Sequence, residues 1–492
     1  MNNTTRRAPI CLIYLLTSLS ISSSTGAFAA PTDDCEEKSL SAHSLIVMNM
    51  LNSMLKYNPQ IKSQEALVKA AKSNFLARKT FYYPNLKLET QPFPSYRQSG
   101  YSDIGSGTYT GTSGSNASSN NSNNQTNPDL ITPYNYAYQY NQLLNFTGQI
   151  ETDIVNLPKF NLMQSSWNQL KSAQESLSNV VNDTGLQLLN AYITAQSLNQ
   201  AIIDEQKVVD VYKSYTDTQQ QMLQQGFSSI LEYNNQLGNY LTFQSRVNNS
   251  QIRLQESVEE IYQLSAFRLK TNDFILLPSP SCLPKLRNID QLTSMINKYY
   301  QPIKENIYSS RAYKDLALSE INQYAPKLSF GYAITYFKQY GNISGLDNQT
   351  YTQLTSYPYL KFSLAFNLGG REIFDSNKNR QISENYLELS KSSYNLAQRE
   401  LTVSIDKFKY NTLNYQNYKS LKEQSLEAIK ATQDAMLTGL IDFSLFLNSQ
   451  SLLFLGIENE SNSLIETYLS YFRVKRLTSD FIQTTQKLFS PN

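Results

Sequence analysis

With 492 residues, 42 Lys and Arg against 40 Asp and Glu, and aromatic residues dominated by 35 Tyr and 22 Phe, the chain has no basic surplus to attract nucleic acid. The only histidine, His43, leaves neither a His-based triad nor an HExxH zinc pair, and there is no GxxxxGK[ST] loop for a nucleotide. The composition therefore points away from an enzyme and implies no cofactor.

Arg6 and Arg7 precede the apolar run ICLIYLL (10–16), and Ala27-Phe28-Ala29 supplies a small-x-small cleavage site, so residues 1–29 read as a secretory signal. Its removal leaves 40 basic residues (42 less Arg6 and Arg7) against 40 acidic ones. Export to an oxidising compartment lets Cys35 and Cys282 pair, or remain as two idle thiols. His43, near the start of the first helical segment, is read as a surface residue. No later window approaches the roughly 18 apolar residues of a membrane-spanning helix, so any membrane crossing must use strands.

From there the chain is written twice. "YNPQIKSQEALVKAAKSNFLARKTFYYPNLKLET" (57–90) is repeated as "YQPIKENIYSSRAYKDLALSEINQYAPKLSFGY" (300–332), and "MLQQGFSSILEYNNQ" (222–236) as "MLTGLIDFSLFLNSQ" (436–450). The copies occupy 30–282 and 283–492. Period-2 alternation after Pro84 and Pro326 predicts strands at about 85–102 and 134–155 in the first copy, and at about 327–339 and 357–368 in the second. Their oily rows are Tyr134, Tyr136, Tyr138 and Tyr140; Leu328, Phe330, Tyr332, Ile334 and Tyr336; and Leu360, Phe362, Leu364, Phe366 and Leu368. Residues 99–127, nearly all Gly, Ser, Thr and Asn, read as a solvated loop.

The remaining segments predict long helices at about 158–223, 229–268, 371–437 and 443–486, with Gly185 as a possible break in the first. Leu237, Tyr240, Val247, Leu254, Val258 and Ile261 form a coiled-coil seam interrupted by Gln244 and Gln251. Four strands are too few to close a barrel, and an open edge cannot stand in hydrocarbon, so several chains must contribute; three would give twelve strands. The fold class is then mainly α with a membrane β-barrel part.

The doubled Asn-Pro-x-Ile…Pro-x-Leu signature (Asn58, Pro59, Ile61, Pro84, Leu86; then Pro302, Ile303, Pro326, Leu328), the "NLGGRE" exit from the last strand and the glycine turns resemble the TolC family of outer-membrane efflux and secretion channels. The resemblance covers about 38–486, with Gln301 where the family usually has Asn. It implies a homotrimer in the bacterial outer membrane, with a twelve-stranded barrel in lipid and a long helical tunnel in the periplasm. Such a channel is a passive duct of a tripartite efflux pump or type I secretion system. A periplasmic adaptor (membrane fusion) protein and an inner-membrane RND or ABC transporter open it.

On this reading the periplasmic tips, where an adaptor docks, are Gly226, Phe227 and Ser228, and Gly439 and Leu440. Acidic residues often follow the second tip glycine in the family, whereas this chain has Leu445 and Asn448 there. Asp442 lies earlier and Glu232 occupies the first tip, so the candidate gate is Glu232, Asp442, Leu445 and Asn448. The alternative is a non-conducting structural or adhesin-like coiled-coil envelope protein.

Overall fold

The computed structural model describes residues 37–90, 96–100, 138–270, 273–341, 349–365, 369–437, 443–479 and 481–482. The signal segment, Cys35, Tyr134, Tyr136, Phe366, Leu368 and most of the Ser/Asn-rich loop lie outside these residues. In chain order the elements are α1 (Glu37–Tyr57), α2 (Pro59–Lys79), β1 (Asn85–Thr90), β2 (Tyr96–Gly100), β3 (Tyr138–Val155), α3 (Leu157–Gln224) and α4 (Ile230–Ser265). Then come α5 (Ile289–Tyr299), α6 (Gln301–Ile321), β4 (Lys327–Gly341), β5 (Gln349–Ser363), α7 (Arg371–Leu437) and α8 (Phe443–Thr478).

The long helices α3, α4, α7 and α8 stand beside expected ranges of about 158–223, 229–268, 371–437 and 443–486, with α8 ending at Thr478, and the strands differ in detail. The described parts of the first predicted strand are β1 and β2, both antiparallel to β3, while β5 begins eight residues before the expected Tyr357. Gly185 does not break α3. The space a side chain would need there is taken by Ile482 and Phe481, at 3.0 and 3.4 Å, so the glycine serves packing.

The chain divides into two compact units that cut across the duplication. One comprises residues 59–181 and 300–397, the other 1–58, 182–299 and 398–492. The first holds the sheet, whose described order is β1-β3-β4-β5 with β2 also on β3. Directly paired positions share a face, so Leu86, Ile150, Tyr332 and Pro358 lie in one row, and Leu328 and Phe362 in another on the same side. That side is solvent-exposed: Leu86, Leu360 and Phe362 are 65, 65 and 69% accessible. The opposite side carries Lys87, Glu151 and Lys361, with Ser329, Gly331 and Ala333 buried. There the Tyr359 ring lies over Gly331, and its hydroxyl donates to Glu151 at 3.3 Å, as does Lys361 at 3.4 Å.

Beneath the sheet, α6 packs on α3 and on α7 through small side chains at heptad spacing. Ser376, Ser383 and Ser390 donate to the carbonyls of Ala317, Ser310 and Ile303 at 2.9, 2.8 and 3.4 Å. On the other side, Ser165 and Ser172 donate to the carbonyls of Ala312 and Glu305, and Ser319 to that of Pro158. Both the donors and the acceptors recur every seven residues, the period at which two antiparallel helices return to one another. A hydroxyl on so short a stem reaches a main-chain oxygen only if the backbones approach closely.

In the other unit the core runs through Val208, Tyr212, Phe243, Val247, Phe454 and Ile457. The seam of α4 buries Phe243, Val247 and Ile261 with the small Ser257, whereas Gln251 is exposed and takes no part. His43 is fully buried rather than at the surface. Nε2 lies 3.1 Å from the Leu276 carbonyl, which can only accept, so Nε2 carries the proton and Tyr192 donates its hydroxyl to Nδ1 at 2.7 Å. Burial holds this imidazole below its ordinary value of 6.5, against the Leu276 hydrogen bond. Asn58 of the repeat signature donates to the Leu264 carbonyl at 2.9 Å. Cys282 is disulfide-bonded.

The serine seam sets a tolerance for helix spacing. Ser376 is 3% exposed, so Ser376→Ala should cost about 1 kcal/mol, one neutral hydrogen bond. Ser376→Leu should cost about 1–3 kcal/mol more through overpacking. Thermal midpoints in detergent should rank wild type, Ala, Leu; an unshifted Leu variant would mean that these backbones are not in close approach.

Candidate functional site: a helix turn and a buried charge cluster

The turn between α3 and α4 is built from capping chemistry. Gly226 takes φ +78°, the left-handed conformation that closes the helix, while the Phe227 amide donates to the Met222 carbonyl at 2.8 Å. Ser229 then caps α4, accepting from the Glu232 amide at 3.1 Å, and Ser228 donates to Gln219 Oε1 at 2.7 Å and to Glu232 Oε2 at 3.4 Å. Ser-Ile-Leu-Glu is thus a capping pattern, which gives Glu232 a local structural role at the turn. Phe227, Ile230 and Leu231 are 77, 67 and 69% exposed, an apolar tip with nothing of this chain over it among the described residues.

Gly439, Leu440 and Asp442 lie outside the described residues, so the second turn has no geometry to compare. Leu445 and Asn448, in the first turns of α8, are both exposed, and Leu445 accepts the Ser449 hydroxyl at 3.1 Å. The structure thus brings Gly226, Phe227, Ser228 and Glu232 together in one turn.

About twenty residues from the first turn, along α3, lies a feature that the sequence reading missed. Asp204 and Glu205 sit side by side in α3 and face different neighbours. Lys422 of α7 reaches both Asp204, at 3.4 Å, and Glu460 of α8, at 3.1 Å. It can do so because α8 presents Gly456 to α7: a side chain there would stand 3.3 Å from the Lys422 main chain. Burial alone would raise Asp204, but its bonds to Lys207 and Lys422 hold it below the ordinary carboxylate value. Burial would likewise lower Lys422, and Glu460 with Asp204 outweighs it, so this ammonium stays charged.

Glu205 behaves oppositely. It is 1% exposed, and its Oε2 has no hydrogen-bond partner among the described residues. Burial, then the neighbouring Glu458 carboxylate, push it up to about 7, against the Ser250 hydroxyl and the charges of Arg253 and Arg246. Arg246 is itself held by Glu458 at 3.3 Å. Glu205 lies on the three-four row Leu198, Ala201, Glu205, Val208, Tyr212, all but Glu205 uncharged and all buried. That periodicity, an acid where the pattern demands an apolar residue, is the signal by which the sequence could have revealed it.

Because the folded value of Glu205 lies above its ordinary 4.5, the folded state keeps a proton that the unfolded chain has lost. Stability is full below about pH 4.5 and falls as pH rises to about 7, where the loss levels off at about 3 kcal/mol. Glu205→Gln keeps the shape and removes the charge. It should raise the thermal midpoint at pH 8 and leave it nearly unchanged at pH 5; equal effects at both pH values would show that Glu205 titrates normally.

No protein-family model and no curated protein matches the chain. Solved structures do match at probability 1.00. The Campylobacter jejuni CmeC outer membrane channel is 11% identical with a TM-score of 0.66, covering 96% of this chain and 94% of its own. A membrane protein from Pseudomonas aeruginosa is 13% identical at TM-score 0.65, covering 92% and 96%. The outer membrane protein VceC of Vibrio cholerae is 11% identical at TM-score 0.62, covering 91% and 99%. Through a sheet with its oily side outward, a doubled set of long helices and agreement over nearly the whole length of each chain, this protein has the fold of the outer-membrane channels.

Proposed function

We propose that the protein is the outer-membrane channel of a tripartite efflux pump or a type I secretion system, a passive homotrimeric duct. A periplasmic adaptor and an inner-membrane RND or ABC transporter open it. The observation that carries this reading is the inverted sheet. Leu86, Leu88, Phe330, Leu360 and Phe362 are exposed on one side in register, while charged and small residues occupy the other. In water such a face would cost about 25 cal/mol for each Å² of apolar surface left wet. Surrounded by lipid the cost vanishes, and the polar side with Lys361 and Glu151 is left to line a water-filled lumen. No described helix is long and apolar enough to cross a membrane; on this reading the strands make the crossing.

The exposed Phe227, Ile230 and Leu231 at the glycine turn suit an apolar adaptor tip, and Leu445 with Asn448 line the constriction in place of carboxylates. Gly439, Leu440 and Asp442 belong to the second tip by their place in the repeat.

Reconstituted into planar bilayers, the trimer should conduct, with larger currents when Leu445→Ala widens the constriction. A trimer that stays silent even with tip substitutions overturns the channel reading. Divalent and trivalent cations added on the periplasmic side should block weakly. Strong block at low concentration would place Asp442 or Glu232 in the pore.

A further inference from the structure

Glu205 stands where the packing of α3 on α4 calls for an apolar side chain. Ala201, Val208 and Tyr212 of its row share one cluster with Phe243 and Val247, and the α4 row runs on in three-four steps through Ser250, Leu254 and Ser257. The Ser250 hydroxyl faces the acid from α4. Glu205 is 1% exposed and its Oε2 has no hydrogen-bond partner among the described residues, so the seam closes over a carboxyl that it does not satisfy.

The charged groups that face Glu205 are Arg246 and Arg253 of α4 and Glu458 of α8. Lys422 of α7 and Glu460 of α8 are engaged on the Asp204 side instead. The two arginines lie seven residues apart (253 less 246), each one position before a member of the α4 row, Val247 or Leu254, and both are exposed. Arg246 is committed to Glu458 at 3.3 Å, whereas Arg253 enters no ion pair among the described residues.

Protonated, Glu205 lacks one neutral hydrogen bond; ionised in the same place, it would be a buried charge without a counter-charge, a far larger cost. Glu458 adds repulsion. Relief therefore requires a cation. Arg246 supplies one only by abandoning Glu458, which exchanges one ion pair for another, while Arg253 gives up no pair. Its planar fork on a long stem suits a carboxylate at the edge of a seam. An exposed guanidinium and a carboxyl shut inside the seam meet only if the two helices part locally.

We propose that Glu205 and Arg253 form a proton-controlled latch between the two arms of the α3–α4 hairpin. Protonated, Glu205 stays inside and the arms close over it. On losing its proton to solvent it turns to the flank of α4 and pairs with Arg253, and the arms part around residues 201–208 and 247–254. The changeover falls near neutrality, because burial and then Glu458 raise this carboxyl to about 7. The latch is shut below that pH and open above it. Since the same hairpin ends in the Gly226 turn, the state of the latch sets how firmly the stem of that turn is held. The inference stands on the hairpin alone and is independent of the channel reading.

The test is hydrogen exchange of the full-length protein in detergent, read by mass spectrometry from about pH 5.5 to about pH 8.5 and corrected for the intrinsic pH dependence of amide exchange. Protection of residues 198–212 and 243–257 should fall roughly tenfold through a midpoint of about 7. Glu205→Gln should hold full protection throughout. Arg253→Gln should move the midpoint up by about one pH unit and Arg253→Lys should restore most of that shift, whereas Glu458→Gln should move it down. Such shifts report the charge beside Glu205, which a merely structural role of Arg253 would leave in place. A profile without a transition that Glu205→Gln abolishes, or a midpoint that Arg246→Gln raises more than Arg253→Gln does, overturns the latch.

Discussion

A sheet that leaves one apolar side exposed costs free energy in water and none in oil, and on the proposed channel reading its surroundings are oil. Hydrocarbon offers no partner to main-chain N–H and C=O groups, so strands that enter it must be paired on both edges. Here β3 and β4 satisfy each other within the chain, whereas β1 and β5 have one neighbour apiece among the described residues. On the channel reading, the exposed apolar rows and the unfinished edges are two consequences of one solvent.

The helices obey a different rule, holding a fixed spacing without a wide apolar face. Around α6 the solution is hydroxyl groups on short stems, Ser165, Ser376 and Ser383, hydrogen-bonded to the neighbouring main chain at heptad spacing. Each bond contributes about 1 kcal/mol net, so these contacts specify distance more than they supply stability. The larger apolar cluster around Tyr212, Phe243 and Phe454 stabilises the other unit by ordinary burial.

Within that unit the charges at Asp204, Glu205, Arg246, Lys422, Glu458 and Glu460 link α3, α4, α7 and α8. They form two sets with opposite behaviour. Lys422 between two carboxylates satisfies both and stays ionised, while Glu205, shut in beside Glu458, keeps its proton up to about pH 7. A buried carboxyl in that position is a cost that an amide or an apolar residue would not incur.

The sequence by itself determined the duplicated plan, the presence of long helices, the strand period and the turn at Gly226, because each is written in local spacing: three-four rows, alternation, and glycine or proline punctuation. It could not decide what faces what. Whether His43 lay at the surface or bonded to Tyr192, whether Gly185 broke a helix or made room for Ile482, and which strand continued the sheet past each hairpin all depend on residues far apart along the chain. Glu205 is the sharpest case. Its place on a buried row was legible, but the approach of Glu458 from α8 was not, since helices brought together by packing carry no local record of their partners.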